Sequence, residues 1–450
     1  MERRPRLVLP RPVADLISRL EKAGFSAYAV GGCVRDTLLS KVPHDWDLCT
    51  SARPEEMLAL FRGEHVVETG LKHGTLTVIL NHIPYEITTF RTDGSYTDHR
   101  HPDSVTFVED VAGDLSRRDF TVNAMAYSPH AGLVDLFGGR EDLDHGVIRC
   151  VGVPEERFRE DALRILRALR FASCYRFSIE NETAAAIHRN SGLLNNIASE
   201  RIQSELVRLL CGDGAEDILN EFRDVFAVFI PELAETFDFD QKNKHHRYDV
   251  FQHITHSVGL IESDPVLRLT MLFHDIAKPR VCTTDKHGSR HFKGHQSVSA
   301  DIAREVLSRL RFPTDTIETC ITLIICHDVR FNGTLPQVKR VLNKIGVENM
   351  RRLFKVQYAD TLSQSDYLRE EKLAKIDTAK AQFEQIMAEK QCFSLKQLAV
   401  NGRDLIDAGV TDGKQIGKML AFLLDCVIDG TLPNEKAALL AVAKEYSVKE

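Results

Sequence analysis

The chain has 450 residues, 43% of them hydrophobic and 27% charged, which indicates a globular protein of roughly three domains. Its net charge of −7 excludes a strongly basic overall field, so an RNA partner would have to meet local basic patches. Ten cysteines without a C-x-x-C pair, no secretory signal and no apolar run of about 18 residues predict a cytoplasmic protein with reduced thiols and no membrane partner.

The first predicted elements lead into a glycine turn. Apolar residues at helical spacing predict a helix over residues 13–23, and residues 25–30 form a predicted strand that enters Gly31 and Gly32. Glycines let the backbone approach a polyphosphate closely, and Arg35 adds a planar positive group a few residues later. The turn is therefore a candidate nucleotide-binding element.

Two aspartates follow this turn on either side of a tryptophan. If the segment around Trp46 is a strand, alternation places Asp45 and Asp47 on one face and the indole on the other. Paired carboxylates suit magnesium, which is bound through one or two carboxylates and substrate phosphates. A lone Asp-x-Asp would favour the alternative of two solvated side chains, but here it shares a short unit with Gly-Gly and Arg.

The stretch of residues 30–50, VGGCVRDTLLSKVPHDWDLCT, closely resembles the signature of the class II tRNA nucleotidyltransferases. This family, within the polymerase-β superfamily, comprises CCA-adding enzymes and bacterial poly(A) polymerases. The resemblance implies a catalytic palm in which Asp45 and Asp47 bind Mg²⁺, while Gly31, Gly32 and Arg35 contact the nucleotide.

The rest of the predicted palm is an α/β layer. A helix over residues 55–61 precedes predicted strands at 76–80 and 85–90. Glu86 is a candidate third carboxylate, although a solvent-facing strand residue is the simpler interpretation. Residues 91–108 are polar and rich in turn formers, which predicts an exposed loop. This loop resembles a family element required for the final A addition, which CC-only relatives lack.

Residues 115–127, LSRRDFTVNAMAY, carry a further motif. Paired arginines before an acid could simply start a helix with solvated charges. The run nevertheless matches the family motif RRDFTxNA almost completely. The resemblance implies that Arg118 contacts the nucleotide, that Asp119 touches the ribose, and that Asn123 belongs to the same site.

Residues 154–175 are predicted to form one amphipathic helix. Asp161, Arg164, Arg167 and Arg170 recur every three residues, so they would line one groove or, alternatively, form surface ion pairs. A carboxylate beside a guanidinium complements the edges of cytosine and adenine, whereas uracil and guanine present the reverse pattern. The run Glu160-Asp161-x-x-Arg164 is similar to the family's template for selecting CTP and ATP, which leaves Arg167 and Arg170 for triphosphate or RNA backbone.

Histidines and aspartates suited to metal binding accumulate in the second half of the chain. The set comprises His253, His274, Asp275, His295, His327 and Asp360. Mixed sets of this kind hold one or two transition-metal ions that activate water for phosphoester hydrolysis. Their order, with Lys278 after the His-Asp doublet, resembles the HD phosphohydrolase superfamily and implies a second divalent transition metal. The competing interpretation is a retained scaffold that only positions tRNA.

These motifs predict an α/β N-terminal nucleotidyltransferase palm, with a mixed sheet and helices, followed by all-α neck, HD and C-terminal domains. The predicted divisions are a catalytic head at 1–139, a nucleotide-selecting and tRNA-binding neck at 140–240, an HD domain at 241–365 and a tRNA-binding tail at 366–450.

The predicted function is template-independent addition or repair of the 3′-terminal CCA of tRNA from CTP and ATP, with release of pyrophosphate. Phosphohydrolase activity of the HD domain is an additional hypothesis. The alternatives are an A-only adding enzyme or poly(A) polymerase, and a metal-dependent HD phosphohydrolase with an inactive palm. The oligomeric state stays open.

Overall fold

The computed structural model describes residues 7–94, 105–410 and 412–447. They divide into two compact units, residues 1–234 and 235–450. Within these described ranges, no helix combines the length and the apolar character needed to cross a membrane. The finer division into four domains stays a prediction.

The strands of the first unit build one large sheet and two small ribbons. They are β1 (Ala27–Val30), β2 (Asp47–Thr50), β3 (His65–Val67), β4 (Thr75–Leu80), β5 (Ile83–Thr89), β6 (Arg91–Asp93), β7 (Val105–Phe107), β8 (Met125–Ser128), β9 (Gly132–Asp135), β10 (Val147–Ile148) and β11 (Ser178–Ile179). The large sheet has the order β3-β4-β5-β2-β1-β8-β9, with β2 and β5 parallel and the other neighbours antiparallel. The predicted mixed sheet is thereby confirmed.

Helices pack on this sheet and make up most of the rest of the first unit. They are α1 (Arg11–Lys22), α2 (Gly32–Leu38), α3 (Pro54–Leu60), α4 (Val111–Ser116), α5 (Gly139–His145), α6 (Pro154–Glu160), α7 (Leu163–Tyr175), α8 (Asn181–Asn190), α9 (Ser199–Leu210), α10 (Ala215–Glu221) and α11 (Arg223–Phe229). Helix α1 forms as predicted, because Val13, Leu16, Ile17 and Leu20 fall on one face and are fully buried.

The second unit is almost entirely helical. Its elements are α12 (Val250–Leu260), α13 (Pro265–Phe273), β12 (Thr283–Thr284), β13 (Arg290–His291), α14 (His295–Arg309), α15 (Thr314–Cys326), α16 (Leu335–Ser363), α17 (Arg369–Ala388), α18 (Gly402–Asp407), α19 (Gly413–Asp429) and α20 (Lys436–Ser447). Helix α16 bends at Gly346, whose φ of 78° lies in the left-handed region. The small parallel pair β10 and β11 and the hairpin of β12 and β13 are additions to the predicted all-α architecture.

The predicted helix over residues 154–175 is wrong, because the structure has two helices there. Asp161 has an extended backbone (φ −137°, ψ 103°) between α6 and α7, and its Oδ1 accepts a hydrogen bond from Leu163 N at 3.0 Å. Aspartate often ends a helix in this way, because its carboxylate competes for backbone N–H groups. Asp161 therefore lies at a junction and not on the face of α7.

The predicted loop at residues 91–108 is partly a ribbon. Strands β6 and β7 pair antiparallel, with Arg91 opposite Phe107. The central part of the predicted loop, residues 95–104, lies outside the described residues.

Candidate active site

The glycine turn between β1 and α2 brings the backbone against an arginine. Gly31 has a φ of +79°, and its N–H donates to the carbonyl of Met125 at 3.0 Å. A Cβ on Gly31 would lie 2.9 Å from Nη1 of Arg118. Only glycine fits this position without displacing that guanidinium, which explains the residue that the sequence places there.

Three carboxylates gather beside this turn. Asp47 opens β2 and lies opposite Glu86 in the parallel strand β5, so both side chains are on the same face of the sheet. Although Asp47 is solvent-accessible, desolvation by the surrounding protein and the negative charges of Asp45 and Glu86 raise its pKa to about 6. The three carboxylates repel one another, and a bound Mg²⁺ would relieve this repulsion. Oxygen ligands of this kind fit that ion.

The strand predicted around Trp46 begins one residue later. Ala29 pairs with Leu48, and β1 ends at Val30 before the turn at Gly31, so no further β1 residue is available to pair with Trp46. Asp45 consequently precedes the strand, yet its charge still acts on Asp47. The indole is half-buried.

A buried acid holds the two arginines of the RRD motif. Asp114 on α4 accepts hydrogen bonds from Nε and Nη2 of Arg117, at 3.0 and 2.7 Å, and from Nη2 of Arg118 at 3.0 Å. Burial would raise the pKa of Asp114, but the two guanidiniums outweigh burial and lower it. Sequence reasoning missed this residue, although its spacing of three and four positions from the arginines was the available signal.

The carboxylate of Asp119 accepts four hydrogen bonds from other groups of the protein. Its Oδ1 accepts from Phe120 N at 2.8 Å and from Asn123 Nδ2 at 3.1 Å, and its Oδ2 accepts from Nε and Nη2 of Arg167 at 2.8 and 2.6 Å. Burial would raise its pKa, but Arg167 and Asn123 lower it. A carboxylate offers about four acceptor sites, so a ribose hydroxyl could bond to Asp119 only in exchange for one of these donors.

Arg35 also has polar and aromatic partners within the protein. Its Nη1 donates to Asn123 Oδ1 at 2.5 Å, and its Nη2 lies 2.8 Å from Asp36 Oδ1. The guanidinium carbon lies 4.9 Å from the ring centroids of both Phe171 and Tyr175 on α7. Arg35 thus joins the glycine turn to α7 by charge and by cation–π contact.

The two residues of the predicted base-reading pair are each held by a partner. Asp161 Oδ2 accepts from Nη2 of Arg201 at 3.1 Å. Arg164 donates from Nη1 to Glu160 Oε2 at 2.7 Å and from Nη2 to the carbonyl of Arg117 at 3.0 Å. Arg201 lies 40 residues beyond Asp161, so no local pattern in the sequence indicated that these two residues pair.

Arg170 also has partners within the protein. Its Nε donates to Glu205 on α9, and its guanidinium carbon lies 3.9 Å from the ring centroid of Phe171. Arg167 and Arg170 therefore both have carboxylate partners within the first unit.

A second constellation converges in the second unit. The Nε2 atoms of four histidines surround the buried Asp275: His253 and His274 lie 3.1 and 3.3 Å from its Oδ2, and His295 and His327 lie 3.1 and 3.7 Å from its Oδ1. Asp360 Oδ1 lies 3.1 Å from His253 Nε2. All six predicted ligands are thus together, in two groups of ligand atoms that share Asp275.

The second nitrogen of each imidazole is fixed by a hydrogen bond. In three of the rings Nδ1 bonds to the backbone carbonyl three residues earlier: His274 to Met271, His295 to Phe292 and His327 to Ile324. In His253, Nδ1 bonds to Ser363 Oγ. Because a carbonyl only accepts, Nδ1 carries a proton in those three rings, so the neutral form of each ring has its lone pair on Nε2. This is the arrangement that supports metal ligands in proteins.

Lys278 and Gln241 complete the polar surroundings of Asp275. Lys278 Nζ lies 2.6 Å from Asp275 Oδ2 and donates to Gln241 Oε1 at 2.9 Å. Burial would raise the pKa of Asp275, but Lys278 and His274 hold it well below its usual range. The sequence indicated Lys278 but not Gln241.

Three family models match successive parts of the chain, and a known relative matches almost all of it. Residues 27–149 match the model of the poly A polymerase head domain, residues 176–237 that of a probable RNA and SrmB-binding site of polymerase A, and residues 295–443 that of tRNA nucleotidyltransferase domain 2. The CCA-adding enzyme of Levilactobacillus brevis is 36% identical over 441 residues, which is 97% of each chain.

Two solved structures share the fold. The Bacillus stearothermophilus CCA-adding enzyme in complex with CTP has a TM-score of 0.70 at 27% identity, over 98% of this chain and 99% of that one. The Thermotoga maritima CCA-adding enzyme complexed with tRNA has a TM-score of 0.60 at 22% identity, over 98% and 97% of the chains.

Proposed function

The chain belongs to the CCA-adding enzymes, a family of tRNA nucleotidyltransferases, and from this membership we propose that it builds or repairs the 3′-terminal CCA of tRNA from CTP and ATP. The observation that carries the proposal is the meeting of Asp45, Asp47 and Glu86 with Arg118 at the Gly31 turn. The cytoplasm, where tRNA matures, is the proposed location.

The family depends on a divalent metal, and we assign Mg²⁺ to Asp45 and Asp47, with Glu86 as a third oxygen donor. When bound, the ion neutralises charge on the transferring phosphoryl group and on the leaving pyrophosphate. Arg118, held by Asp114, directs a positive charge toward the triphosphate. No side chain acts as nucleophile, because the 3′ hydroxyl of the RNA attacks.

Asp161 and Arg164 select the base. An acceptor beside donors pairs with the amino group and ring nitrogen of cytosine or adenine, whereas uracil or guanine would leave buried groups unpaired at about 1–3 kcal/mol each. Arg201 and Glu160 orient the two readers. We assign Arg167 and Arg170 to holding α7 against Asp119 and Glu205, and Arg35 with Asn123 to bracing the glycine turn.

The test uses purified protein, Mg²⁺ and a tRNA that ends at the nucleotide before CCA. CTP alone should extend it by two residues, and CTP with ATP should extend it by three, as read on a sequencing gel. Addition of A without C, or a long A tail, would instead identify an A-only adding enzyme or a poly(A) polymerase and refute the proposal.

The second unit supports a second candidate function, metal-dependent phosphoester hydrolysis, because six candidate ligands, Asp275 among them, lie together. Imidazole-rich donor sets favour transition metals over magnesium, and the shared Asp275 provides for two ions. Metal analysis of the protein and chelator-sensitive hydrolysis of bis(p-nitrophenyl) phosphate test it. His274→Ala should lose both signals, while the exposed His287→Ala should keep them. Absence of bound metal in the parent protein would favour the interpretation of a tRNA-positioning scaffold.

We also assign residues 366–450 to tRNA binding. Its part from Cys392 to Ala443 has an apolar core, which includes Leu405, Leu423 and Leu439, so this part can present a rigid surface. Deleting it should weaken tRNA binding more than CTP binding, as measured by filter binding and calorimetry. Equal losses of both affinities would contradict this assignment.

A further inference from the structure

Arg157 lies between the base-reading pair and the arginines of the RRD motif. It is on α6, one turn before Glu160. Its Nη2 lies 2.6 Å from Glu160 Oε1, and its Nη1 donates to the carbonyl of Ser116 at 3.2 Å. Since Ser116 is the last residue of α4, Arg157 joins α6 to the C-terminal end of that helix.

The carboxylate of Glu160 lies between two guanidiniums, with one on each oxygen. Its Oε1 pairs with Arg157, and its Oε2 accepts a hydrogen bond from Arg164 Nη1 at 2.7 Å. The side chains of Arg157, Glu160 and Arg164 are 17%, 23% and 11% exposed, so water screens these contacts less than it would at the surface. The position of the Arg164 guanidinium thus depends on Arg157 through the carboxylate that they share.

Arg157 and Arg164 also reach two consecutive carbonyls at the end of α4. Arg157 binds the carbonyl of Ser116, and Arg164 Nη2 donates to that of Arg117 at 3.0 Å. The last carbonyls of a helix have no partner within the helix, and cationic side chains are stabilised at that end. Arg118 is the next residue in the chain. These two bonds therefore connect the base-reading guanidinium to the backbone that carries the arginine assigned to the triphosphate.

We propose that Arg157 is a positioning residue for nucleotide selection. It holds Glu160 and the end of α4, so the guanidiniums of Arg164 and Arg118 keep a fixed spacing. A nucleotide whose base pairs with Arg164 then has its triphosphate beside Arg118, whereas a base that displaces Arg164 disturbs both contacts together. This inference deepens the proposed function and rests on it, because it concerns the choice of CTP and ATP over other nucleotides.

Steady-state kinetics of nucleotide addition to the shortened tRNA, with CTP and with UTP, test the proposal. Arg157→Met keeps an unbranched apolar side chain but removes the charge and the donors. It should raise the KM for CTP about tenfold and lower the ratio of kcat/KM for CTP to that for UTP by a similar factor, as expected for one charge-assisted hydrogen bond. Arg157→Lys should restore part of both values, because an ammonium can still pair with Glu160. The exposed Arg159→Met, on the same helix, is the matched control and should keep the parental values.

The two measured values separate positioning from stability. Loss of folded protein lowers the apparent kcat for every nucleotide alike, but it leaves the KM for CTP and the CTP-to-UTP ratio unchanged. A second test introduces Arg157→Met into a protein that already carries Arg164→Ala. The effect of Arg157→Met on the ratio should disappear there, because Arg157 acts on base reading through Arg164.

Failure of this inference is distinct from failure of the proposed function. A parent protein that adds UTP as readily as CTP would refute the proposed function, and this inference with it. If the parent prefers CTP, an Arg157→Met protein with the parental KM and the parental ratio overturns the inference alone. An equal fall in the ratio with and without Arg164→Ala also overturns it, since Arg157 would then act by a route that does not involve Arg164.

Discussion

Replacement of Asp119 by asparagine tests the buried network that joins the RRD motif to α7. The substitution keeps the size of the side chain but removes the charge that pairs with Arg167, and it turns one acceptor atom into a donor. Breaking a buried ion pair costs about 3–5 kcal/mol, but the Arg167 side chain is 35% exposed, so water compensates part of the loss. We therefore expect a loss of about 2–3 kcal/mol in the free energy of unfolding of the first unit.

The sole tryptophan, Trp46, lies in the first unit, so its fluorescence reports unfolding of that unit. For a unit of this size, the expected loss lowers the melting temperature by roughly 5–10 °C. The control is Asp144→Asn, whose pair with Arg140 is exposed (55% and 40%) and is worth about 0.5 kcal/mol or less.

The pH dependence of this difference has a definite sign. The pKa of Asp119 is lowered in the folded state, so the stabilisation by its charge is complete above the ordinary carboxyl pKa and is lost as pH falls through the folded-state pKa. The gap between the parent protein and Asp119→Asn should be constant from pH 5 to 8 and shrink in more acidic buffer. Equal melting temperatures for Asp119→Asn and Asp144→Asn at pH 7 would refute this account of the network.

Three further predictions concern the candidate site. Asp161→Ala combined with Arg164→Ala should abolish the preference for CTP and ATP over UTP and GTP, and unchanged selectivity in competition assays would rule out the base-reading role. Asp47→Asn should raise the melting temperature at pH 7 in metal-free buffer, because a pKa raised to about 6 means that the folded state loses stability as pH rises from about 4 to 6, and the variant escapes this loss. Magnesium should then raise the melting temperature of the parent but not of the variant, and the same response in both would count against the assigned ion site. Asp114→Asn should raise the KM for CTP more than tenfold by releasing Arg118, while Asp144→Asn should not; an unaltered KM would show that Asp114 does not position that arginine.

Local patterns were sufficient for much of the fold. The 3.6-residue spacing of Val13, Leu16, Ile17 and Leu20 correctly predicts α1, because one helix face is decided by nearby residues alone. The same holds for the turn at Gly31, where the chain needs a residue without a side chain. In the second unit, the order of the His and Asp residues in the sequence predicted a cluster, and these residues lie together in the structure.

Distant partners explain what sequence reasoning could not reach. The periodic spacing of Arg164, Arg167 and Arg170 indicated a shared groove, but spacing does not reveal which acid each guanidinium meets. Arg167 meets Asp119, which lies 48 positions away, and Arg170 meets Glu205, 35 positions away. The sequence offered Glu86 as a candidate third carboxylate, but its position beside Asp47 depends on the register of two strands nearly 40 residues apart in the chain, so no local pattern could decide between this role and a solvent-facing residue.

The most direct measurement of the central claim is nucleotide incorporation by a protein in which both Asp45 and Asp47 are replaced by asparagine. The variant is incubated with the shortened tRNA, CTP, ATP and Mg²⁺, beside the parent and Asp144→Asn, and folding is checked by circular dichroism and by the melting temperature. We predict a folded protein that adds no nucleotide, while Asp144→Asn adds CCA at the parental rate. Addition of CCA by the double variant at a rate near that of the parent would contradict the claim that these two carboxylates support the reaction.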